Sequence, residues 1–263
     1  MTRVLAVTNQ KGGVGKTTTS VNLAAGLAQS RKRVLLVDLD PQGNATMGSG
    51  VDKRGLKSSV YQMLLGLATA ESVRRKSESG GYDLIPANRD LAGAEVELVD
   101  LEHRESRLKG ALKSIIEEYD FILLDCPPAL NMLTVNALVA AHAVMIPMQC
   151  EYYALEGLSD LVNTIKKVRQ SLNPKLEIEG LLRTMYDPRN TLAQQVSAQL
   201  QEHFGEKVYT TVIPRNVRLA EAPSYGAPAI TLDRECKGSQ AYVELVGEIL
   251  SRSRPAAAAG GAP

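Results

Sequence analysis

The sequence predicts an α/β fold: a mostly parallel, twisted sheet with helices on both faces. Three observations predict it. Short, continuous apolar runs recur with helix-like segments between them, and a strand apolar on both sides must be covered on both sides. The composition is aliphatic rather than aromatic, with no Trp and two Phe among 263 residues. The first apolar run, Val4-Leu5-Ala6-Val7, leads into a glycine-rich loop and then a helical segment, the strand–loop–helix order of a parallel α/β unit.

The strongest strand candidates are Val4–Val7, Val34–Val37, Phe121–Leu124 and Ala143–Ile146. Leu84–Ile85, Ile178–Leu182 and Val212–Ile213 are shorter or more mixed. Helices are expected over Ser20–Gln29, Leu133–Ala141, Leu155–Leu172, Thr191–Phe204 and Ser239–Leu250. In the third of these, Leu155, Leu158, Leu161, Val162, Ile165, Val168 and Leu172 recur at three- and four-residue spacing, while Lys166, Lys167 and Arg169 fall largely on the other side. Glu71–Gly81 is polar and reads as a solvated loop. Ser251–Pro263 is low in complexity and is expected to be a disordered tail. With no internal repeat or linker, residues 1–250 are expected to form one domain.

Charge names no partner, since 30 basic residues face 29 acidic ones. Nucleic-acid binding would therefore need a local patch. Cys126, Cys150 and Cys236 lie far apart, which fits a reducing cytoplasm better than a disulfide framework or zinc site. His103, His142 and His203 sit in no motif that would make Cys126 a nucleophile, so Cys126 reads as packing. Met1-Thr2-Arg3 runs straight into the first strand, so no signal peptide is expected. The longest largely apolar stretch, Ala137–Met148, is too short to span a bilayer.

The organising stretch is Gln10-Lys11-Gly12-Gly13-Val14-Gly15-Lys16-Thr17-Thr18. Gly12, Gly13 and Gly15 let the backbone approach a ligand closely. Successive N–H groups can then form an anion nest, reinforced by the dipole of the following helix. Lys16 can reach the β- and γ-phosphates, and Thr17 can ligate Mg²⁺. The position five before Gly15 is Gln10, where the ordinary phosphate-loop motif has glycine, and a second lysine, Lys11, stands at the entrance.

Ligands of open α/β sheets sit beyond the carboxyl ends of strands. Asp38 and Asp40 end the second strong run, beside the phosphate loop if those two strands are neighbours. A carboxylate there can hold a Mg²⁺-bound water or orient the attacking water. It can equally cap the following turn, and for Asp38 both roles stay open. Asp125 ends Phe121–Leu124, as the Mg²⁺-serving aspartate of a Walker B strand would.

The form KGGVGKTT resembles the deviant Walker A motif of the ParA/MinD/nitrogenase-iron-protein ATPases, a P-loop NTPase type. The segments RVLLVDLDPQGNAT, IPANRDLAGAEVEL, FILLDCPPAL, MIPMQCEYYALEGL and VIPRNVRLAEAPSYG extend the likeness. Together they are similar to a chromosomal, Soj-type ParA partition ATPase from about Val4 to Leu250, with the polar loop and the tail outside the match.

The resemblance implies that two protomers sandwich two ATP molecules. Lys11 would reach the partner's phosphates, Lys16 and Thr17 would act within their own subunit, and Asp40 would position the attacking water. Pro214 and Asn216 match adenine-side positions of the family. Arg189 and Arg218 match its DNA-binding arginines, although any arginine can be a solvated surface charge; Lys207 and Lys237 are further basic candidates. The implied cofactors are ATP and Mg²⁺. The implied partners are a second copy of the chain, double-stranded DNA without sequence preference, and a ParB-type centromere-binding protein, in a cytoplasmic, nucleoid-associated setting. A MinD-like membrane ATPase is the alternative. It needs an amphipathic C-terminal helix, and Ser251–Pro263 offers Arg252 and Arg254 but no bulky apolar residue. An iron–sulfur reductase would need a cysteine pair in another spacing.

Overall fold

The computed structural model describes residues 2–253. The chain runs β1 (Arg3–Val7), α1 (Lys16–Gln29), β2 (Val34–Asp38), α2 (Asn44–Gly48), α3 (Val60–Leu65), α4 (Ala70–Val73), β3 (Arg75–Ser77), β4 (Tyr82–Ile85) and α5 (Leu91–Glu97). It continues through α6 (Arg107–Leu112), β5 (Phe121–Asp125), α7 (Met132–Ala140), β6 (Ala143–Met148), α8 (Ala154–Ser171), β7 (Glu177–Tyr186) and α9 (Thr191–Phe204). The last elements are β8 (Val208–Pro214), α10 (Val217–Glu221), α11 (Ala229–Leu232) and α12 (Lys237–Arg252). The strands form one sheet in the order β3-β4-β2-β5-β1-β6-β7-β8. All pairings are parallel except β3 with β4.

Side chains alternate across a strand, so a doubly covered sheet splits each apolar run between two cores. Val4, Ala6, Leu35, Val37, Ile122 and Leu124 belong to the core under α3, α5, α7 and α8. Leu5, Val7, Val34, Leu36 and Leu123 belong to the core under α1 and α12. A Cβ on Gly26 would stand 2.6 Å from Val246 Cγ2, so the glycine is what lets α1 and α12 pack this closely.

Three expectations change. First, β1 and β2 are not neighbours, because β5 lies between them. Second, the polar segment Glu71–Gly81 is not wholly a loop. Its first residues finish α4, and Arg75–Ser77 forms the antiparallel edge strand β3. An edge strand needs pairing on one side only, so it can be short and polar. Its one buried anchor is Ser77, whose hydroxyl donates to the Ser49 carbonyl at 2.8 Å. Third, Ser251 and Arg252 are helical. Arg252 is held by Glu248 at 2.8 Å and lies 4.3 Å from the Tyr209 ring centroid. Ser253 caps that helix, and the expected tail from residue 254 on lies outside the described residues.

Candidate functional site

The glycine loop joins β1 to α1 at the carboxyl edge of the sheet. Gly13 (φ 72°) and Gly15 (φ 86°) are left-handed, a conformation that costs glycine nothing and other residues much. A Cβ added at Gly12 or Gly13 would meet nothing within 4 Å, so this backbone faces open space. That space is a cavity of about 510 Å³. Gly12, Gly13, Gly15, Lys16, Thr17, Thr18, Asp40 and Asn216 line it. Lys11, Val14, Asp38, Asp125 and Pro214 do not.

Lys16 is buried, and desolvation lowers the pKa of its ammonium against the pull of Asp125, Cys126 and Asp40. It donates to the Lys11 carbonyl at 3.0 Å, which folds the loop around its side chain. Lys11 itself points elsewhere. Its ammonium pairs with Glu151 at the surface, and both side chains are about half exposed.

The carboxylates divide the work. Asp125 accepts from the Thr17 hydroxyl and the Ser20 hydroxyl, each at 2.8 Å. Asp38 and Asp125 are register partners at the ends of β2 and β5, and both are fully buried. Burial raises the pKa of each, the charge of Asp38 raises that of Asp125 further, and Asp40 adds to both, so the pair retains protons in a range where isolated aspartates are ionised. A buried acidic pair whose Asp125 accepts from the Thr17 hydroxyl could hold a divalent cation. Asp38, however, is engaged structurally. It accepts from the Thr46 N–H (2.8 Å), the Thr46 hydroxyl (2.7 Å) and the Asp40 N–H (3.1 Å). It therefore braces α2 and aims the turn carrying Asp40. Asp40 accepts from the Gln42 N–H at 2.9 Å and lines the cavity even though its strand is not adjacent to β1.

On the opposite wall, Asn216 caps α10 by accepting from the Arg218 N–H at 2.9 Å. That leaves its amide N–H₂ free to donate to a ligand. Arg189 and Arg218 follow β7 and β8, whose ends are paired at Tyr186 and Pro214. The two arginines thus leave the same end of adjacent strands. Arg189 is 89% exposed and grips Asp187 in a two-point pair (3.0 and 2.9 Å), holding that carboxyl down to about 2. Arg218 pairs with Glu221 (3.1 Å) and Asp233 (3.2 Å).

Sequence reasoning missed several residues that the fold brings in. Thr184, Met185, Arg215 and Tyr242 line the cavity, and the Tyr242 hydroxyl meets that of Thr19 at 3.0 Å. Thr184 and Tyr242 belong to no local motif, so only the fold could reveal them. Cys126 is buried, and burial raises its pKa, which makes it inert. Among the described residues no cluster of metal-ligating His, Cys, Asp and Glu is present, and no helix is long and apolar enough to cross a membrane.

Comparison with known proteins agrees with this geometry. The family described as AAA domain matches residues 2–178. The chain is 52% identical over 254 residues to the chromosome partitioning protein ParA of Caulobacter vibrioides, covering 96% of this chain and 95% of that one. It is 53% identical over 255 residues to the chromosome-partitioning ATPase Soj of Thermus thermophilus, covering 97% and 98%. Its fold is similar to a structure titled cobyrinic acid a,c-diamide synthase from Mycobacterium smegmatis with bound ADP and magnesium (TM-score 0.85, 41% identity, 96% and 95% coverage). With identities above half to partition ATPases over nearly its whole length and a family model matching residues 2–178, the chain belongs to the ParA/Soj family of P-loop ATPases.

Proposed function

We propose that the protein is an ATP-driven DNA-binding switch that segregates chromosome or plasmid origins. ATP, with Mg²⁺, binds at the glycine loop and closes a sandwich dimer. The dimer holds double-stranded DNA without sequence preference, and a ParB-type partner stimulates hydrolysis and release. The setting is cytoplasmic and nucleoid-associated. A relative of the same fold that binds ADP and magnesium supports the choice of ligands.

The observation that carries the reading is the division between two lysines in one loop. Lys16 is buried and faces the cavity, whereas Lys11 is half exposed and lies outside its lining. A lysine so placed can serve another copy of the chain once its pair with Glu151 opens. Within one protomer, Lys16 and the loop N–H groups bind the phosphates, Thr17 and Asp125 hold the cation, and Asp40 orients the attacking water. Mg²⁺, when bound, would neutralise charge on the phosphate oxygens. Lys11 from the second copy adds a positive charge that the isolated protomer lacks.

The test is DNA retention with ATP, ADP or no nucleotide at two salt concentrations. Retention should require ATP and fall steeply with salt. Equal retention in all three conditions would overturn the switch, and lipid-dependent pelleting with ATP would select the membrane ATPase instead.

Arg189→Ala and Arg218→Ala should each weaken DNA retention while leaving ATP-driven dimerisation intact. Each lost phosphate contact should reduce the slope of log affinity against log salt by about 1. Loss of dimerisation would show that the arginines are structural. Their present partners Asp187, Glu221 and Asp233 must yield to phosphate for these contacts to form.

The Lys11–Glu151 pair must likewise open before Lys11 can cross to a partner. Exposed pairs are worth about 0.2–1 kcal/mol, and a dimer opens two, so Glu151→Gln should tighten ATP-dependent dimerisation by roughly 2- to 30-fold. Sedimentation with a slowly hydrolysed ATP analogue measures this. A weaker dimer would mean that Glu151 contributes across the interface.

A further inference from the structure

A phosphate nest works only while its peptide N–H groups face the ligand. We propose that Thr184, on β7, is the positioning residue that keeps the Gly15 N–H turned toward the nucleotide phosphates, a role that rests on the glycine loop being the nucleotide site. The carbonyl of Val14 and the N–H of Gly15 belong to one planar, trans peptide and so point to opposite sides of it. The Thr184 hydroxyl donates to that carbonyl at 2.8 Å. Thr184 is 2% exposed and Val14 1%. The Cβ and Cγ2 of Thr184 lie 3.8 Å from where a Cβ on Gly15 would stand, and Gly15 also lines the cavity. With the carbonyl tied to β7, the N–H of the same peptide is directed away from β7.

The loop needs this restraint because of its glycines. The freedom that lets Gly13 and Gly15 take positive φ also lets the peptide between Val14 and Gly15 turn over. Turned over, it would aim a carbonyl at the phosphates. It would also leave the buried Thr184 hydroxyl without its acceptor, a costly loss.

The strand that carries Thr184 is itself braced. The buried guanidinium of Arg183 donates to the Ser197 hydroxyl (2.8 Å) and to the carbonyls of Tyr209 (2.7 Å) and Thr210 (3.1 Å). On the other side, Met185 is left-handed (φ 48°), and its sulfur accepts from the Gln149 side chain at 3.0 Å. Thr184 therefore stands on a fixed support and presents one donor to one carbonyl of the loop.

Thr184→Val keeps the shape and removes the donor, while Thr184→Ser keeps the donor. ADP affinity measured calorimetrically should fall roughly tenfold in the valine variant and stay within about threefold of wild type in the serine variant. In ¹⁵N-labelled protein the Gly15 amide resonance should shift on ADP addition in wild type and the serine variant. It should shift much less in the valine variant at equal saturation. Thr184→Cys, a weak donor, should fall between them and serves if the valine variant does not fold. A valine variant that binds ADP like wild type, or a serine variant as weak as valine, would overturn the role of Thr184. A wild-type protein that fails to bind ADP would instead remove the nucleotide site itself.

Discussion

Lys16→Ala is expected to abolish nucleotide binding at ordinary concentrations. The ammonium is buried, lines the cavity and is already folded into the loop by the Lys11 carbonyl. Its ordering cost is thus met before the ligand arrives. A charge pair at about 4 Å and an effective dielectric constant of about 20 is worth roughly 4 kcal/mol, on the order of a thousandfold in affinity. The loss should also be uniform. ADP and ATP should weaken together, because the lysine serves the loop's own phosphates. Calorimetric titration with both nucleotides measures this, and an affinity within tenfold of wild type would show that the backbone nest alone holds the ligand.

Asp40→Ala should produce the opposite phenotype. ATP should still bind, because the loop, Lys16 and Thr17 are untouched. Hydrolysis should fall by roughly 10²- to 10⁴-fold, the usual contribution of a positioned proton acceptor. On the proposed switch, the DNA-bound dimer should then accumulate with ATP and resist release. The grounds are geometric. Asp40 lines the cavity, and its turn is held by the Asp38 carboxylate and by the Gln42 N–H. Removing the Asp40 side chain leaves the Asp38–Thr46 bonds intact, so the fold should survive. Wild-type hydrolysis by this variant would remove Asp40 from the reaction.

What was legible in the sequence was local. Lys16, Thr17 and the glycines announce themselves, because a phosphate nest demands these residue types at fixed spacing directly after a strand. The central strands were legible because burial on both faces leaves continuous Val, Leu and Ile runs. β3 was not, because an edge strand such as Arg75–Ser77 can be polar throughout. The strand order was not legible either. Nothing in Val34–Asp38 shows that β5, more than eighty residues later, would separate it from β1. For Asp38 the residue type allowed both cap and cation ligand, and the structure shows three hydrogen bonds that brace its own turn. Thr184 and Tyr242 carried no signal, because their neighbours in space are distant in the chain.

The placement of β1 in the middle of the sheet has a consequence for synthesis. Arg3 pairs with Phe121, and Leu5 pairs with Ala143, so the first strand made finds its first neighbour only when nearly half of the chain has been translated, and its second only beyond the midpoint. The cavity waits longer still, because its walls run from Gly12 to Tyr242. Nucleotide capture is therefore a property of the finished chain. A nascent or truncated protein ending before α12 would lack one wall of the cavity. Nucleotide, by binding only the completed protein, stabilises the entire sheet by mass action. ATP acts on this chain first as a late-arriving clasp on its fold and only afterwards as its fuel.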